Sequence, residues 1–195
     1  KVILSGEGAD ELFGGYLFFH NAPSDQDFQN ESLNLIDNVH AFDVLRADRC
    51  TANHGLELRV PFFDKALIQY VKSIHPKHKV VKNIEKNILR MAFDDDENLL
   101  PQSILWRQKN GMSDAVGYSW VDFMKKYAEE TISYDEFSER KIMYTKNKPF
   151  SKEELLYRDI YCELFPNVDN LPHVWRPSWT SQKDPSATLL QVHTK

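Results

Sequence analysis

The first sixteen residues, KVILSGEGADELFGGY, constrain the fold more than any other stretch of the chain. Val2, Ile3 and Leu4 form a short, wholly apolar run, which suits a strand buried on both faces. The run stops at Ser5-Gly6-Glu7-Gly8, where the glycines permit a tight turn and a close approach of backbone to ligand. Ala9 to Phe13 then read as the first turns of a helix, with Asp10 and Glu11 at its electropositive start. Strand, glycine turn and helix start make a site at the carboxyl end of a sheet, where open α/β folds bind their ligands. Turn N–H groups at such a place can hold a phosphate or a nucleotide.

The turn has neither the lysine of a P-loop nor the spacing of a dinucleotide fingerprint. It offers Ser5, Glu7 and Asp10, one hydroxyl and two carboxylates. Carboxylates beside a phosphate site imply a bridging Mg²⁺, since bare carboxylates repel phosphates. A carboxylate there can also steer or deprotonate an amine. The competing reading is that Gly8 and Asp10 only cap a helix and that Glu7 is a solvated turn residue, because acids are common at helix starts.

Composition narrows the class. At 195 residues and 42% hydrophobic content the chain can build a core of one domain. A net charge of −5 without a basic run argues against a nucleic-acid binder. Its two cysteines, Cys50 and Cys162, form no CxxC and suggest neither a zinc site nor a disulfide framework. A reducing, cytoplasmic compartment is the expectation. No apolar stretch approaches the roughly 20 residues needed to span a bilayer.

After Tyr16 a polar loop is expected over 21–30, then a long helix from about Glu31 to Asn53, ended by Gly55. Leu35, Val39, Phe42 and Leu45 recur at steps of four and three and predict one buried stripe. Asp43 and Arg46, three apart, neighbour each other on that helix, as a solvated ion pair or as a functional one. Glu57 to Val60 lead into Pro61, which marks a loop or strand end. Arg59 in this segment can bind a carboxylate through two parallel hydrogen bonds, or brace the loop by pairing with Glu57 or Asp64. Asp64 is an N-cap for a helix bearing Leu67, Ile68, Val71 and Ile74, which must stop before Pro76. A basic linker from His75 to Lys82 precedes a helix with Ile84, Ile88 and Leu89 inward and with Lys86 and Arg90 on its other side. Like charges four apart usually mean an exposed face, although Lys86 reaches an anion if that face lines a cleft. Asp94-Asp95-Asp96-Glu97 is read as solvated and not as a metal cluster. Asn110-Gly111 is a turn signal that sets Lys109 at the mouth of a loop, where a flexible ammonium can meet a phosphate as a point charge. Ser119 to Asp122 and Ser151 to Glu154 fit capping boxes, and the second launches a helix that runs to Phe165 and packs Leu155, Ile160 and Leu164. From Pro166 onward, Pro172, Pro177 and Pro185 with Trp175 and Trp179 suggest an extended tail, ordered only where a tryptophan docks.

The residues Ser5-Gly6-Glu7-Gly8-Ala9-Asp10-Glu11-Leu12-Phe13-Gly14-Gly15-Tyr16 closely resemble the SGEGxDExFGGY signature of glutamine-hydrolysing asparagine synthetases. The resemblance continues through Glu57-Leu58-Arg59-Val60-Pro61-Phe62-Phe63-Asp64, Trp106-Arg107-Gln108-Lys109, Ser113 to Trp120, and Tyr157-Arg158-Asp159-Ile160-Tyr161. Trp175-Arg176-Pro177-Ser178-Trp179, with Asp184 to Ala187, is similar to the carboxyl end of eukaryotic-type members. Phe42 to Asp48 resembles a YDxxRAN-like helix near the synthetase cleft, with Asp48 in place of the usual asparagine. Members of this family begin with a glutaminase domain bearing an amino-terminal cysteine, followed by an SGGxDS motif that binds ATP. Neither is found here, so the chain resembles the carboxyl-terminal portion of the synthetase domain.

The resemblance implies an α/β fold, the helix-rich carboxyl-terminal portion of an ATP-pyrophosphatase (adenine nucleotide alpha hydrolase-like) domain whose parallel sheet lies mostly outside this segment. Residues 1–165 would form that portion and 166–195 the tail. The implied reaction is amidation of aspartate to asparagine through β-aspartyl-AMP, with ATP and Mg²⁺ as cofactors and ammonia from glutamine hydrolysed in the absent domain. By resemblance, Ser5 and Gly6 contact the nucleotide. Glu7 assists adenylate formation or handles the ammonia proton, Asp10 helps hold Mg²⁺, and Lys109 contacts the departing pyrophosphate. Asp43, Arg46 and Arg59 are the candidates for aspartate. The glutaminase domain and ATP-binding loop of the same full-length protein are the implied partners, and the isolated segment is expected to be inactive. The oligomeric state is open, a homodimer among the options. Two rival readings remain: a β-lactam-synthetase-like amidotransferase, and a non-catalytic interaction module.

Overall fold

In the computed structural model, which describes residues 1–95, 99–109, 120–166 and 174–180, the apolar run at the amino end forms strand β1 (Val2–Leu4). It pairs in parallel with β2 (Glu57–Arg59), in the register Val2 with Glu57, Ile3 with Leu58 and Leu4 with Arg59. Parallel strands need a long crossover. Here it contains α1 (Ala9–Phe13), α2 (Asp25–Asn38) and α3 (Asp43–Ala52). The expected class, helix-rich α/β with a parallel sheet, therefore holds. Within this segment the expected burial of β1 is not seen: Val2, Ile3 and Leu4 are 58%, 37% and 73% exposed. A strand of a parallel sheet is buried only where layers cover both faces, and this two-stranded sheet leaves them open.

The described residues fall into two compact units, 1–109 with 177–180 and 120–166 with 174–176. In the first, α1 is only five residues long because Gly14 turns left-handed at φ 65°. A Cβ there would also meet the Phe28 ring at 2.3 Å. The polar stretch after Tyr16 is shorter than expected. Ser24 accepts the Asp27 N–H at 3.1 Å and starts α2 at Asp25, within the predicted loop. The predicted single helix to Asn53 is in fact two. A 3-10 turn (Val39–Ala41) and the non-helical Phe42, at φ −124° and ψ −112°, separate α2 from α3. Breaking the 3.6-residue period takes Leu45 out of the stripe, so it is 41% exposed while Leu35 is buried.

Asp64 caps α4 (Lys65–Ser73) by accepting the Leu67 N–H at 2.9 Å, and the helix stops before Pro76 as predicted. Val71 meets Leu12 and Phe13 of α1 in a core joined by Ile36, Phe62, Leu67, Ile68, Ile74, Ile88 and Leu89. Fully burying one such side chain contributes about 1.5–3 kcal/mol. Phe18, Phe19 and Phe28 form an adjoining aromatic group, with Trp179 at 6.0 Å from Phe18 and 6.4 Å from Phe19 between ring centroids. The expectation of a docked tail tryptophan is met at this residue.

The basic linker and the helix after it depart most from the pattern. Lys79 is buried, 1% exposed, and burial pulls its ammonium down to about 8. Val81 and Ile84 bridge across Lys82 and Asn83, both left-handed at φ 49° and 64°, the pattern of a type I′ turn. Ile84 therefore lies in a turn, and α5 spans only Asn87–Met91. Arg90 is buried at 9% exposure, so the expected exposed face of Lys86 and Arg90 is not present. A short helix, α6 (Gln102–Leu105), leads toward Lys109. Asp96, Glu97, the Asn110-Gly111 turn, the Ser113 to Ser119 motif and most of the tail lie outside the described residues.

In the second unit, α7 (Trp120–Thr131) and α9 (Lys152–Leu164) pack together, with α8 (Tyr134–Arg140) beside α9. Ala128, Ile132 and Leu155 are buried between them. Ser151 accepts the Glu154 N–H at 3.1 Å as predicted, but Glu154 returns to the N–H of Phe150, not to that of Ser151. Among the described residues a complete capping box is found at Ser133 and Glu136. Ile160 and Leu164, expected inward, are 46% and 67% exposed because they leave the stripe that Leu155 defines.

Candidate functional site

The turn after β1 is set by two backbone bonds: the Ser5 N–H donates to the Arg59 carbonyl at 2.9 Å, and the Ala9 N–H to that of Gly6 at 3.3 Å. The Ser5 hydroxyl takes the Glu7 N–H at 3.4 Å. The N–H groups of Ser5, Glu7 and Ala9, which could have faced a ligand, are thus already engaged. Positive charge comes instead from side chains that arrive from elsewhere in the chain. Lys86 and Lys109 each place Nζ 3.0 Å from Asp10, the first on Oδ1 and the second on Oδ2. All three side chains are about one-fifth exposed, so their charges meet at the surface of the core and stay reachable. Gly15 makes room for Asp10. A Cβ at that position would lie 1.9 Å from Asp10 Oδ1 and 2.9 Å from its Cα.

Beside this group stands a second one. Arg46 donates to Asp43 at 2.9 Å and reaches Glu7 at 3.5 Å. The sequence pairs Asp43 with Arg46 by helical spacing, and the break at Phe42 sets Asp43 in the first turn of α3. The Tyr16 hydroxyl donates to Glu11 Oε1 at 2.6 Å and lies 3.5 Å from Asp43 Oδ2. Glu11 is itself buried, and its carbonyl accepts from Ser32 at 2.6 Å. The Lys109 ammonium lies 5.9 Å from the Tyr16 ring centroid, within reach of a cation–π attraction. Tyr16 thereby adjoins both groups.

The titrations follow from these neighbours. Burial works against the charge of Asp10, but Lys86 and Lys109 outweigh it and hold the carboxyl below its usual range. Burial, aided by Asp43, raises Glu7 against the opposing pull of Arg46. Burial also raises Glu11, with the Tyr16 hydrogen bond opposing. Tyr16, buried against the charges of Glu11 and Asp43, stays protonated. One carboxylate held ionised and another biased toward its proton, on one short segment, is a division of roles typical of reaction sites.

Of the predicted site residues, the structure brings together Glu7, Asp10, Asp43, Arg46 and Lys109. Ser5 and Gly6 form the turn beneath them. Arg59 pairs with Glu57, and both side chains are 60% exposed, which is the bracing alternative. The sequence pattern does not single out Lys86, Tyr16 or Glu11 as site residues. The signal for Lys86 was its four-residue step to Arg90, which points to solvent only if both lie on one helix. For Mg²⁺, Asp10 supplies a single carboxylate whose oxygens each face an ammonium, and no group of three His, Cys, Asp or Glu side chains occurs among the described residues. These residues would fit the ion only with Asp10 as one carboxylate ligand and phosphate oxygens supplying others.

No helix among the described residues is long and apolar enough to cross a membrane. The family model for asparagine synthase matches residues 1–34 and 21–193. A probable asparagine synthetase (glutamine-hydrolysing) of Dictyostelium discoideum is 44% identical over 204 residues, covering 99% of this chain and 37% of the relative. Asparagine synthetase 1 of Saccharomyces cerevisiae is 44% identical over 208 residues, covering 100% of this chain and 36% of the relative. The Bos taurus asparagine synthetase is 45% identical over 194 residues, covering 97% and 34%. The chain spans about a third of the length of the curated relatives it matches.

Proposed function

This chain belongs to the asparagine synthase family, and from that premise we propose that it is the carboxyl-terminal part of a synthetase that converts aspartate to asparagine with ATP, taking ammonia from glutamine. In this reading residues 1–165 complete an ATP-pyrophosphatase domain, 166–195 are its tail, and the glutaminase domain and ATP-binding loop belong to the full-length protein. The observation that carries the reading is the convergence of Lys86 and Lys109 on Asp10 beside the Glu7–Arg46–Asp43 group.

The side-chain carboxylate of aspartate attacks the α-phosphorus of ATP. The new bond is carboxyl oxygen to phosphorus, and the bond broken is phosphorus to the bridging oxygen of the leaving pyrophosphate. Charge grows on that leaving group, and two ammonium groups are suited to meet it. Lys109 and Lys86 exchange Asp10 for the phosphates, and Asp10 holds them in place until then. Asp10 would serve as one carboxylate ligand of a magnesium on the phosphates, which would supply further charge neutralisation. Arg46 and Asp43 present opposite charges side by side, a match for the α-carboxylate and α-ammonium of aspartate. Arg59 is a more distant candidate, available to a carboxylate only if it leaves Glu57.

Ammonia then attacks the acyl carbon, the carbon to AMP-oxygen bond breaks, and a proton leaves the nitrogen. Glu7 is the acceptor for that proton or the stabiliser of the first step. Its raised titration and its contact with Arg46 suit it to either role. Aspartate-dependent pyrophosphate release from ATP by the full-length protein tests the reading, with the segment alone expected to make no asparagine. No aspartate-dependent pyrophosphate from the folded full-length protein would refute it.

A further inference from the structure

Lys86 occupies a costly backbone position. Its φ of 54° is left-handed, a conformation that a residue with a Cβ rarely adopts. Such a conformation persists only where its surroundings over-determine it. Two side chains do so here, both acting on the preceding residue, Glu85. The Glu85 carboxylate, 1% exposed, meets His20 Nε2 at 2.7 Å, and the His20 side chain is itself only 6% exposed. The Glu85 carbonyl accepts from Arg90 Nε at 2.7 Å. The same buried guanidinium donates through Nη1 to the carbonyl of Leu105 at the end of α6. Arg90 therefore joins two backbone points, one immediately before Lys86 and the other four residues before Lys109. Both lysines end on the same carboxylate, 3.0 Å from separate oxygens. A guanidinium can make this bridge because its donors are fixed in one plane and diverge. An ammonium is a point donor and cannot reproduce it.

We propose that Arg90 and His20 are positioning residues for the ammonium pair: together they fix the Glu85–Lys86 backbone, and Arg90 sets its spacing from the Lys109 segment. Arg90 acts here through the carbonyls of Glu85 and Leu105, and His20 through the Glu85 carboxylate. This inference rests on the reading that Lys86 and Lys109 serve the departing pyrophosphate. A misplacement of catalytic groups by about 1 Å can cost 100-fold, so loss of the bridge is expected to lower rate more than binding.

The test is single-turnover pyrophosphate release and steady-state kinetics in the full-length protein, comparing Arg90→Lys, His20→Gln, Lys86→Ala and Arg90→Lys with Lys86→Ala. Arg90→Lys is expected to lower kcat by about 10–100-fold per folded molecule while KM for ATP moves less than about threefold. Combined with Lys86→Ala it should add less than its single effect, because one of the two lysines whose spacing it sets is already gone. Should Arg90→Lys fold poorly, His20→Gln loosens the same segment from the other side, and the same split between kcat and KM is expected. Wild-type kcat in a folded Arg90→Lys or His20→Gln, or full additivity with Lys86→Ala, overturns the inference. If Lys86→Ala and Lys109→Ala both release pyrophosphate at the wild-type rate, the phosphate reading itself fails, an outcome separate from the failure of Arg90.

Discussion

The Lys109 ammonium lies 3.0 Å from Asp10 Oδ2, across 99 positions of sequence. The carboxylate that neutralises this lysine belongs to the same short helix as Glu11 and follows Glu7 by three residues. The acid that pairs with Lys109 and the acid proposed to handle a proton are thus carried by one short segment.

Gly15 is the narrowest point of that arrangement. Gly15→Ala forces a Cβ into the space of Asp10 Oδ1, where Lys86 also binds. Because the Asp10 Cα is close as well, rotation of the side chain alone cannot relieve the clash. The variant is expected to lose about 1–3 kcal/mol of stability. It should also lose most pyrophosphate release in the fraction that remains folded. Denaturant unfolding and a rate normalised to folded protein check both. An unchanged midpoint and rate would show that Asp10 does not need this seat.

Asp10 should leave an acid-dependent mark on stability. Its folded-state pKa lies below its ordinary value, so it contributes stability above the unfolded carboxylate range, and that contribution is lost as pH falls through the folded pKa. Asp10→Asn removes the charge at every pH. At pH 7 the wild type should be more stable by about 2 kcal/mol, between the values of exposed and buried ion pairs. The gap should close as pH falls below about 4. Thermal unfolding of both proteins from pH 7 to pH 3 measures it. A gap independent of pH would mean that the two lysines do not act on Asp10 as an ion.

Glu7→Gln keeps size and hydrogen bonding and removes the charge. Synthesis in the full-length protein should fall by ~100-fold or more, the usual range for a positioned acid or base, while nucleotide affinity changes little. The folded-state pKa of Glu7 is raised, so its ionised form is disfavoured by folding, and that penalty grows as pH rises through the folded pKa. The variant should therefore be at least as stable as the wild type at neutral pH. Equal losses of ATP binding and turnover would mark Glu7 as a structural turn residue.

How far the sequence led depended on whether the relevant signal was local. Strand, turn and helix start are legible because apolar run, glycines and acids occur within one short stretch. Asp43 and Arg46 were legible because a three-residue step on a helix brings side chains together wherever that helix starts. Even the unforeseen break at Phe42 left their pairing intact. The exposed face that the four-residue step of Lys86 and Arg90 suggests fails for the opposite reason, while the alternative that Lys86 reaches an anion is met at Asp10. Their faces depend on the left-handed turn at Lys82 and Asn83 and on the left-handed Lys86, for which no glycine gives notice. Tyr16 and Glu11 are five apart, a spacing that a helix would separate, and only the left-handed stop at Gly14 folds them together. The openness of β1 is likewise not a local property. An apolar run specifies what a strand can bury, while neighbouring layers decide whether it does.

The most direct test of the account is pyrophosphate release in a single turnover by the full-length protein carrying Lys109→Ala, with saturating ATP and aspartate. The account predicts a rate about 100-fold below wild type, as for the loss of one transition-state donor. Partial recovery in Lys109→Arg is expected, because charge is kept while the compact shape is not. Glutamine hydrolysis, which uses none of these residues, should be undiminished. A wild-type rate of pyrophosphate release in Lys109→Ala would contradict the account, leaving the pair of Lys109 and Asp10 as a structural ion bridge.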